Sequence, residues 1–233
     1  ATRLPGKPLL KINNLSIISH VFKRAEEANI GEVVVATDDQ EILKDVLKNG
    51  GRAILTNKNH KTGTDRIYEA YKKLNVNNID YILNLQGDEP DINKDEIINL
   101  NNCMINHNAE LGTLAAKIKG SKMFNDRNVV KVITDQKLEE SNFPIALNFT
   151  RDNLSTDYQN IYHHIGIYSY KVSVLEKFIS LDQTNNEKIN KLEQLRALDN
   201  KLKINVALAK SSPIGVDTEE DYLAIKKIME YKI

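Results

Sequence analysis

Apolar residues alternate between helical and extended spacing along the first two thirds of the chain. Ile17, Ile18, Val21, Phe22 and Ala25 share one face of a helix predicted from an N-cap at Ser16 to about Asn29. Glu32 to Thr37 (EVVVAT) is a nearly continuous β-branched run, the pattern of a strand buried on both faces. A second amphipathic helix covers Asp39 to Asn49, with Ile42, Leu43, Val46 and Leu47 inward, and Gly50-Gly51 ends it. A short strand over 52–55, a polar loop to Gly63, a helix from Thr64 to Leu74, a buried strand Tyr81 to Leu85 and a helix over 94–106 continue the rhythm. This βαβα order predicts a mainly parallel sheet covered by helices.

The pattern then changes. Leu111 to Ile118, Val129 to Thr134, Phe143 to Phe149 and Ile165 to Tyr170 read as strands, and 135–142 reads as a hairpin connection. Helices over 171–179 and 187–198, a strand over 204–209 and a terminal helix over 218–231, capped by Thr218 with Asp221 in its first turn, complete the prediction. The middle segment, about residues 120–200, reads as an insertion into one α/β domain spanning 1–233.

Composition narrows the function classes. The 233 residues are 41% hydrophobic and 27% charged, as in a globular protein with a real core. Lys plus Arg and Asp plus Glu both total 32, so any anionic substrate must be held by local groups. The lysines are scattered on polar helix faces without aromatic neighbours, which argues against a nucleic-acid partner. Cys103 is a lone cysteine, which excludes a disulfide framework, and no apolar run reaches bilayer length. These features predict a cytoplasmic protein without membrane insertion.

In an open parallel sheet, ligands bind beyond the carboxyl ends of the strands, so three loops become candidates. Thr2 to Pro8 carries Arg3 and Lys7 on a Gly- and Pro-defined loop that could grip a polyphosphate, or form a basic terminus. Gln86-Gly87-Asp88-Glu89-Pro90 follows a buried strand. Asp88 there could hold Mg²⁺, a hard ion that takes one or two carboxylates, or could cap the next helix. Gly215-Val216-Asp217-Thr218 precedes the terminal helix, and Asp217 could be a second carboxylate for the same ion or only a helix-terminus charge. His60 to Arg66 is a polar loop entering a helix, where Thr62 or Thr64 could face a ligand or serve as a cap.

Taken in order, RLPGKP, VVVATD, HKTGTDR, NLQGDEP, HHIGIY, LEQLR and GVDT resemble the signature of CMP-Kdo synthetases, the 3-deoxy-manno-octulosonate (Kdo) cytidylyltransferases. The resemblance covers essentially the whole chain. It implies a Rossmann-like nucleotidyltransferase fold, three-layer α/β/α, with a β-rich insertion that forms a homodimer. It also implies that CTP and Kdo are converted to CMP-Kdo and pyrophosphate, with Mg²⁺ as cofactor, for lipopolysaccharide synthesis in a bacterial cytoplasm. Carried over by motif, Arg3 and Lys7 would hold the triphosphate, and Thr62 and Arg66 would help bind the nucleotide. Asp88 and Asp217 would ligate Mg²⁺, with Lys7 completing the catalytic set. Gln86, His164, Tyr168, Glu193 and Gln194 would line the sugar pocket, and Arg151 would contact the sugar acid.

As structural alternatives, Tyr168 could be a core tyrosine, His164 a capping or interface residue, and Glu193–Arg196 an i, i+3 surface pair. The chain departs from the family pattern twice. An apolar strand and an Arg- and Ser-bearing loop ahead of RLPGKP are absent, so the sequence is expected to be truncated. The stretch from Phe149 to His164 lacks the expected S-R-x-x-I-P pattern. A cytidylyltransferase for another nonulosonic or amino-substituted acid, and a non-catalytic nucleotide-binding relative, are the alternatives.

Overall fold

The computed structural model describes residues 4–152 and 160–231. It divides into two units, the first drawn from Ala1–Val76, Leu85–Ile98 and Pro213–Ile233, the second from Asn77–Asn84 and Asn99–Ser212.

In the first unit the end of the Leu4–Pro8 loop enters a 3-10 turn, Lys7–Leu9, through Gly6 at φ +68°, with Pro8 inside the turn. Only glycine adopts that left-handed conformation without a Cβ penalty. Hydrogen bonds from the Leu9 N–H to the Gly6 carbonyl (2.9 Å) and from the Leu10 N–H to the Lys7 carbonyl (3.2 Å) close the turn. A two-residue loop, Asn13-Asn14, joins β1 (Lys11–Ile12) to β2 (Leu15–Ser16), and both asparagines take positive φ, as a primed hairpin turn requires. Helix α1 (Ile17–Glu27) starts where expected, with the Ser16 hydroxyl accepting from the Ser19 N–H. Ile18 and Phe22 pack on Val46 of α2 (Gln40–Lys48).

Strands β3 (Val35–Thr37) and β4 (Ala53–Leu55) pair in parallel across the α2 crossover, followed by α3 (Gly63–Leu74). The β-branched run from Glu32 is therefore a strand only over its last three residues, those that find a ladder partner in β4. The terminal helix α9 (Glu219–Tyr231) packs Ile225 and Met229 against Ile12, Ile17 and Val216.

The second unit is a six-stranded sheet in the order β10-β6-β9-β7-β8, with β5 also paired to β9. Its strands are β5 (Tyr81–Asn84), β6 (Leu111–Ala116), β7 (Lys131–Thr134), β8 (Ala146–Thr150), β9 (Ile161–Lys171) and β10 (Asn205–Leu208). The expectation of a mainly parallel sheet is corrected here. Only β3/β4 and β6/β10 are parallel among the described residues, because β9 runs antiparallel to β5, β6 and β7. The register of β9 on β6 jumps between Thr113↔Tyr168 and Leu114↔Ile165, so Gly166 and Ile167 form a bulge. Bulges re-aim neighbouring side chains and recur beside active sites.

Two more boundaries differ from the sequence pattern. Phe143 sits at φ +74°, so β8 starts only at Ala146. The helix expected over 187–198 is two, α7 (Asn185–Asn190) and α8 (Leu195–Asp199), because Lys191 turns left-handed at φ +53°. Helix α5 (Gly120–Asn125), which carries no buried residue, had no periodic apolar signal; α4 (Lys94–Asn106) and α6 (Val172–Ile179) lie where expected. No helix among the described residues is long and apolar enough to cross a membrane.

Candidate active site

The first unit brings three of the expected residues to one point. The Lys7 ammonium donates to Asp88 Oδ2 at 2.6 Å, to the Val216 carbonyl at 2.8 Å and to Asp217 Oδ1 at 3.0 Å. The backbone holds the two distant loops in register, since the Val216 N–H donates to the Asp88 carbonyl at 2.9 Å. Val216 is fully buried in the cluster under α9, which pins the residue before Asp217. Asp221 fixes the next step. Its Oδ2 accepts from the Asp217 N–H (3.1 Å), the Thr218 N–H (2.9 Å) and the Thr218 hydroxyl (2.8 Å), while the Thr218 hydroxyl accepts from the Asp221 N–H. Thr218 is thus the N-cap that the sequence implies, and the Asp217 side chain is turned to Lys7. Asp88 does not cap α4, a role filled by the Asn93 side chain, which accepts from the Asp95 N–H.

Burial alone would lower the Lys7 pKa, but the hydrogen bonds and charges of Asp88 and Asp217 more than reverse this, and the net shift is upward. Next to Asp88, burial and then the Asp88 charge push Glu89 up to about 8, and its Oε2 is buried without a hydrogen-bond partner among the described residues. Gly87 lies close under Ile18, and a Cβ there would come within 2.9 Å of the Ile18 Cδ1. Gln86 is exposed in the same loop.

Two carboxylates and a carbonyl, all hard oxygens, surround one nitrogen within 3.0 Å. That donor set suits Mg²⁺, which commonly takes one or two protein carboxylates and completes its shell with water and phosphate oxygens. A richer cluster of three or more His, Cys, Asp or Glu residues is absent among the described residues.

At the carboxyl ends of β3 and β4, Arg66 donates to the Thr56 hydroxyl at 2.6 Å and pairs with Asp38 at 3.3 Å. Thr62 caps α3 in a capping box. Its hydroxyl accepts from the Asp65 N–H and donates to Asp65 Oδ2, which also accepts from the Thr62 N–H. His60, in the same loop, is hydrogen-bonded to Glu69, whose carboxyl is held down at about 2 by Lys73, the Asn57 N–H and His60. Arg3 lies outside the described residues.

Apart from Gln86, which is in the first unit, the expected sugar residues belong to the second unit. His164 is buried, and its Nε2 lies 3.0 Å from the Thr113 hydroxyl. That hydroxyl faces two carbonyl acceptors, of Ile167 at 2.7 Å and of Ile165 at 3.1 Å, so a donating His164 Nε2–H is the arrangement that gives its single proton to a carbonyl. Burial, with smaller contributions from His163 and Arg151, lowers the His164 pKa to about 3, so the ring is neutral. Ring contacts run from Phe149, edge-on to His164 (5.0 Å between centroids), on through tilted pairs to Tyr168 (5.5 Å) and Tyr170 (6.0 Å).

Tyr168 stands directly after the β9 bulge. Its hydroxyl is buried without a hydrogen-bond partner among the described residues, and burial, then Tyr170 and Glu193, raise its pKa well above the usual value. A buried hydroxyl left unpaired is costly, which makes it a candidate for a partner supplied by a ligand.

Glu193 and Gln194 form the link between α7 and α8, Gln194 being the N-cap residue of α8. The surface-pair reading of Glu193 and Arg196 is corrected. Arg196 is buried and forms a bidentate pair with Glu187, Nε to Oε2 at 2.8 Å and Nη2 to Oε1 at 2.6 Å, whereas Glu193 stands 3.8 Å away. Arg151 donates to the Asn128 carbonyl at 3.2 Å and, more weakly, to that of Arg127. Sequence reasoning missed Thr113, the Val216 carbonyl and Glu187. Only Glu187 left a trace, in the capping-box spacing Thr184-x-x-Glu187.

The architecture is that of nucleotidyltransferases. It superposes on apo UDP-glucose pyrophosphorylase with a TM-score of 0.73 at 13% identity, covering 99% of this chain and 94% of that one, a likeness of fold alone. A CMP:2-keto-3-deoxy-manno-octonic acid synthetase complexed with CTP is nearer, with a TM-score of 0.90 and 32% identity over 100% of this chain and 95% of that one. Residues 1–204 match the cytidylyltransferase family. The 3-deoxy-manno-octulosonate cytidylyltransferase of Thermodesulfovibrio yellowstonii is 43% identical across 98% of this chain and 94% of its own length. That of Rhodopseudomonas palustris is 41% identical across 99% and 94%. The chain belongs to the 3-deoxy-manno-octulosonate cytidylyltransferase family.

Proposed function

We propose that the chain transfers the cytidylyl group of CTP to Kdo. A hydroxyl of the acid gives up its proton to solvent as its oxygen forms a bond to the α-phosphorus, the bond to the bridging oxygen of the β-phosphate breaks, and pyrophosphate leaves. The geometry that supports this reading is the meeting of Asp88 and Asp217 on one nitrogen, together with Lys7 as a cation of phosphate-binding type. The full-length likeness to cytidylyltransferases supports the choice of substrates.

In such a transfer little covalent work falls to the protein, and positioning with charge neutralisation dominates. Asp88 and Asp217 would hold Mg²⁺. When bound, the ion neutralises phosphate charge and lowers the pKa of a bound hydroxyl. Lys7 would stabilise charge on the leaving pyrophosphate. Arg3, Thr62 and Arg66 are proposed to bind the nucleotide. Both the hydroxyl and the N–H of Thr62 serve the cap of α3, so Thr62 would act by fixing the start of that helix beside the nucleotide. Gln86, Arg151, Glu193 and Gln194 are proposed for the acid, with the unpaired Tyr168 hydroxyl and the neutral His164 ring as polar anchors. A homodimer formed through residues of about 120–200, a cytoplasmic location and a place in lipopolysaccharide synthesis complete the proposal.

The test mixes purified protein with CTP, Mg²⁺ and a panel of 2-keto-3-deoxy acids and follows pyrophosphate release. Release with Kdo that stops on chelation of the metal is expected. Release with a different acid but none with Kdo would overturn the substrate assignment.

A further inference from the structure

The Lys7 ammonium has three N–H bonds, and all three are taken: Asp88, Asp217 and the Val216 carbonyl accept one each. The side chain is only 12% exposed, so no donor is left over for a phosphate oxygen while this arrangement lasts. The same three oxygens are the hard donors that a divalent cation would use. Lys7 therefore stands where the ion is expected, and it cannot serve the triphosphate from there.

We infer that Lys7 is an internal stand-in for the divalent cation, and that it is exchanged out of the Asp88–Asp217 pair when the metal binds and handed to the nucleotide phosphates. The inference rests on the cytidylyltransferase reading for its nucleotide, but its first half concerns this chain and a cation alone. The charges favour such an exchange. A divalent ion brings the two carboxylates one more positive charge than the ammonium does, and its entry frees the lysine's own charge for a polyanion. With Lys7 absent, the carboxylates would repel each other in a half-buried site, so the lysine also keeps the cation site assembled between turnovers. The path is short, because the residue belongs to a 3-10 turn and not to a long helix.

The consequence is a defined coupling. Without nucleotide, Lys7 competes with the metal. With CTP present, Lys7 has a second partner and the competition turns into cooperation. Mn²⁺ serves as the probe, followed by electron paramagnetic resonance on the full chain. Lys7→Met is expected to bind Mn²⁺ about tenfold more tightly than the unsubstituted chain when CTP is absent, and to lose most of the gain in Mn²⁺ affinity that CTP confers on the unsubstituted chain. Lys7→Gln, which keeps a neutral donor for Asp88, serves if the Met variant does not fold.

A second measurement needs no variant. Brief acetylation read by mass spectrometry should find Lys7 poorly reactive alone, more reactive with Mg²⁺, and protected again with Mg²⁺ and CTP. Equal Mn²⁺ affinity in all three chains, or Lys7 reactivity that ignores Mg²⁺, would overturn the exchange and leave the transferase reading standing. No Mn²⁺ binding in any chain, with or without CTP, would remove both the exchange and the metal role of Asp88 and Asp217.

Discussion

Replacing Glu187 by Gln tests the second unit at its most charged interior point. Glu187 and Arg196 are 5% and 3% exposed, and their two charge-assisted bonds measure 2.6 and 2.8 Å. The guanidinium also lies 4.6 Å from the Phe178 ring centroid. Glu187→Gln keeps the shape and removes the charge that accepts both short bonds from the buried cation, while Glu193 lies 3.8 Å from it. Breaking a buried pair in this way costs about 3–5 kcal/mol, and the nearby Glu193 places this case near the lower end. For a chain of this size a loss of about 3 kcal/mol lowers Tm by about 6–12 °C.

The chain has no tryptophan, so circular dichroism is the suitable probe. Removing both partners, Glu187→Gln with Arg196→Met, takes away the stranded cation and should recover part of the loss, giving a coupling of about 2 kcal/mol or more in the double-mutant cycle. A single-variant loss below about 1 kcal/mol, or strict additivity, would refute the reasoning. The pH dependence has a definite sign. Burial pushes the Glu187 pKa up, but the bonds from Arg196 and Gln183 pull it below its ordinary value. The stabilisation is thus complete above the unfolded glutamate pKa of about 4.3 and is lost as pH falls through the lower folded value.

Four further outcomes follow from the same structure. Asp88→Asn and Asp217→Asn should each lower pyrophosphate release by about 100-fold or more at saturating Mg²⁺, and activity within tenfold of normal in either would remove that residue from the metal role. Thr62→Ala should cost about 1 kcal/mol through the lost cap of α3, with Thr62→Ser recovering most of it; a Ser variant no more stable than Ala would contradict the capping role. His164 titrates at about 3 in the fold against about 6.5 unfolded, so the unfolded chain binds the extra proton between these values. Stability should fall by up to about 1.4 kcal/mol per unit as pH drops through that window, and an imidazole NMR signal titrating near 6.5 in the folded protein would sink the argument. Gly112→Ala should destabilise by about 1–3 kcal/mol, because the new methyl would sit 2.7 Å from Phe143 Cζ in the packed interior; an unchanged urea midpoint would show that the site can relax.

The sequence by itself determined the helices with a clear apolar face and an end signal. Ser16 and Thr218 each cap a helix as their position implies, and of Thr62 and Thr64 it is Thr62 that caps α3, because a cap is a contact between residues two or three apart. It also determined the RLPGKP turn, where Gly6 and Pro8 fix the backbone locally. Only the tertiary structure decided that β9 would pair with three strands and carry a bulge before Tyr168, since register depends on partners that lie far away in sequence. Only the tertiary structure, likewise, buried Arg196 against Glu187 nine residues back, after Lys191 broke the periodic helix. Asp88 and Asp217 could be named from their loops, but their meeting rests on a burial that no local pattern records: Val216 sinks into the cluster of Ile12, Ile17 and Ile225, and Asp217 is carried to Lys7 with it.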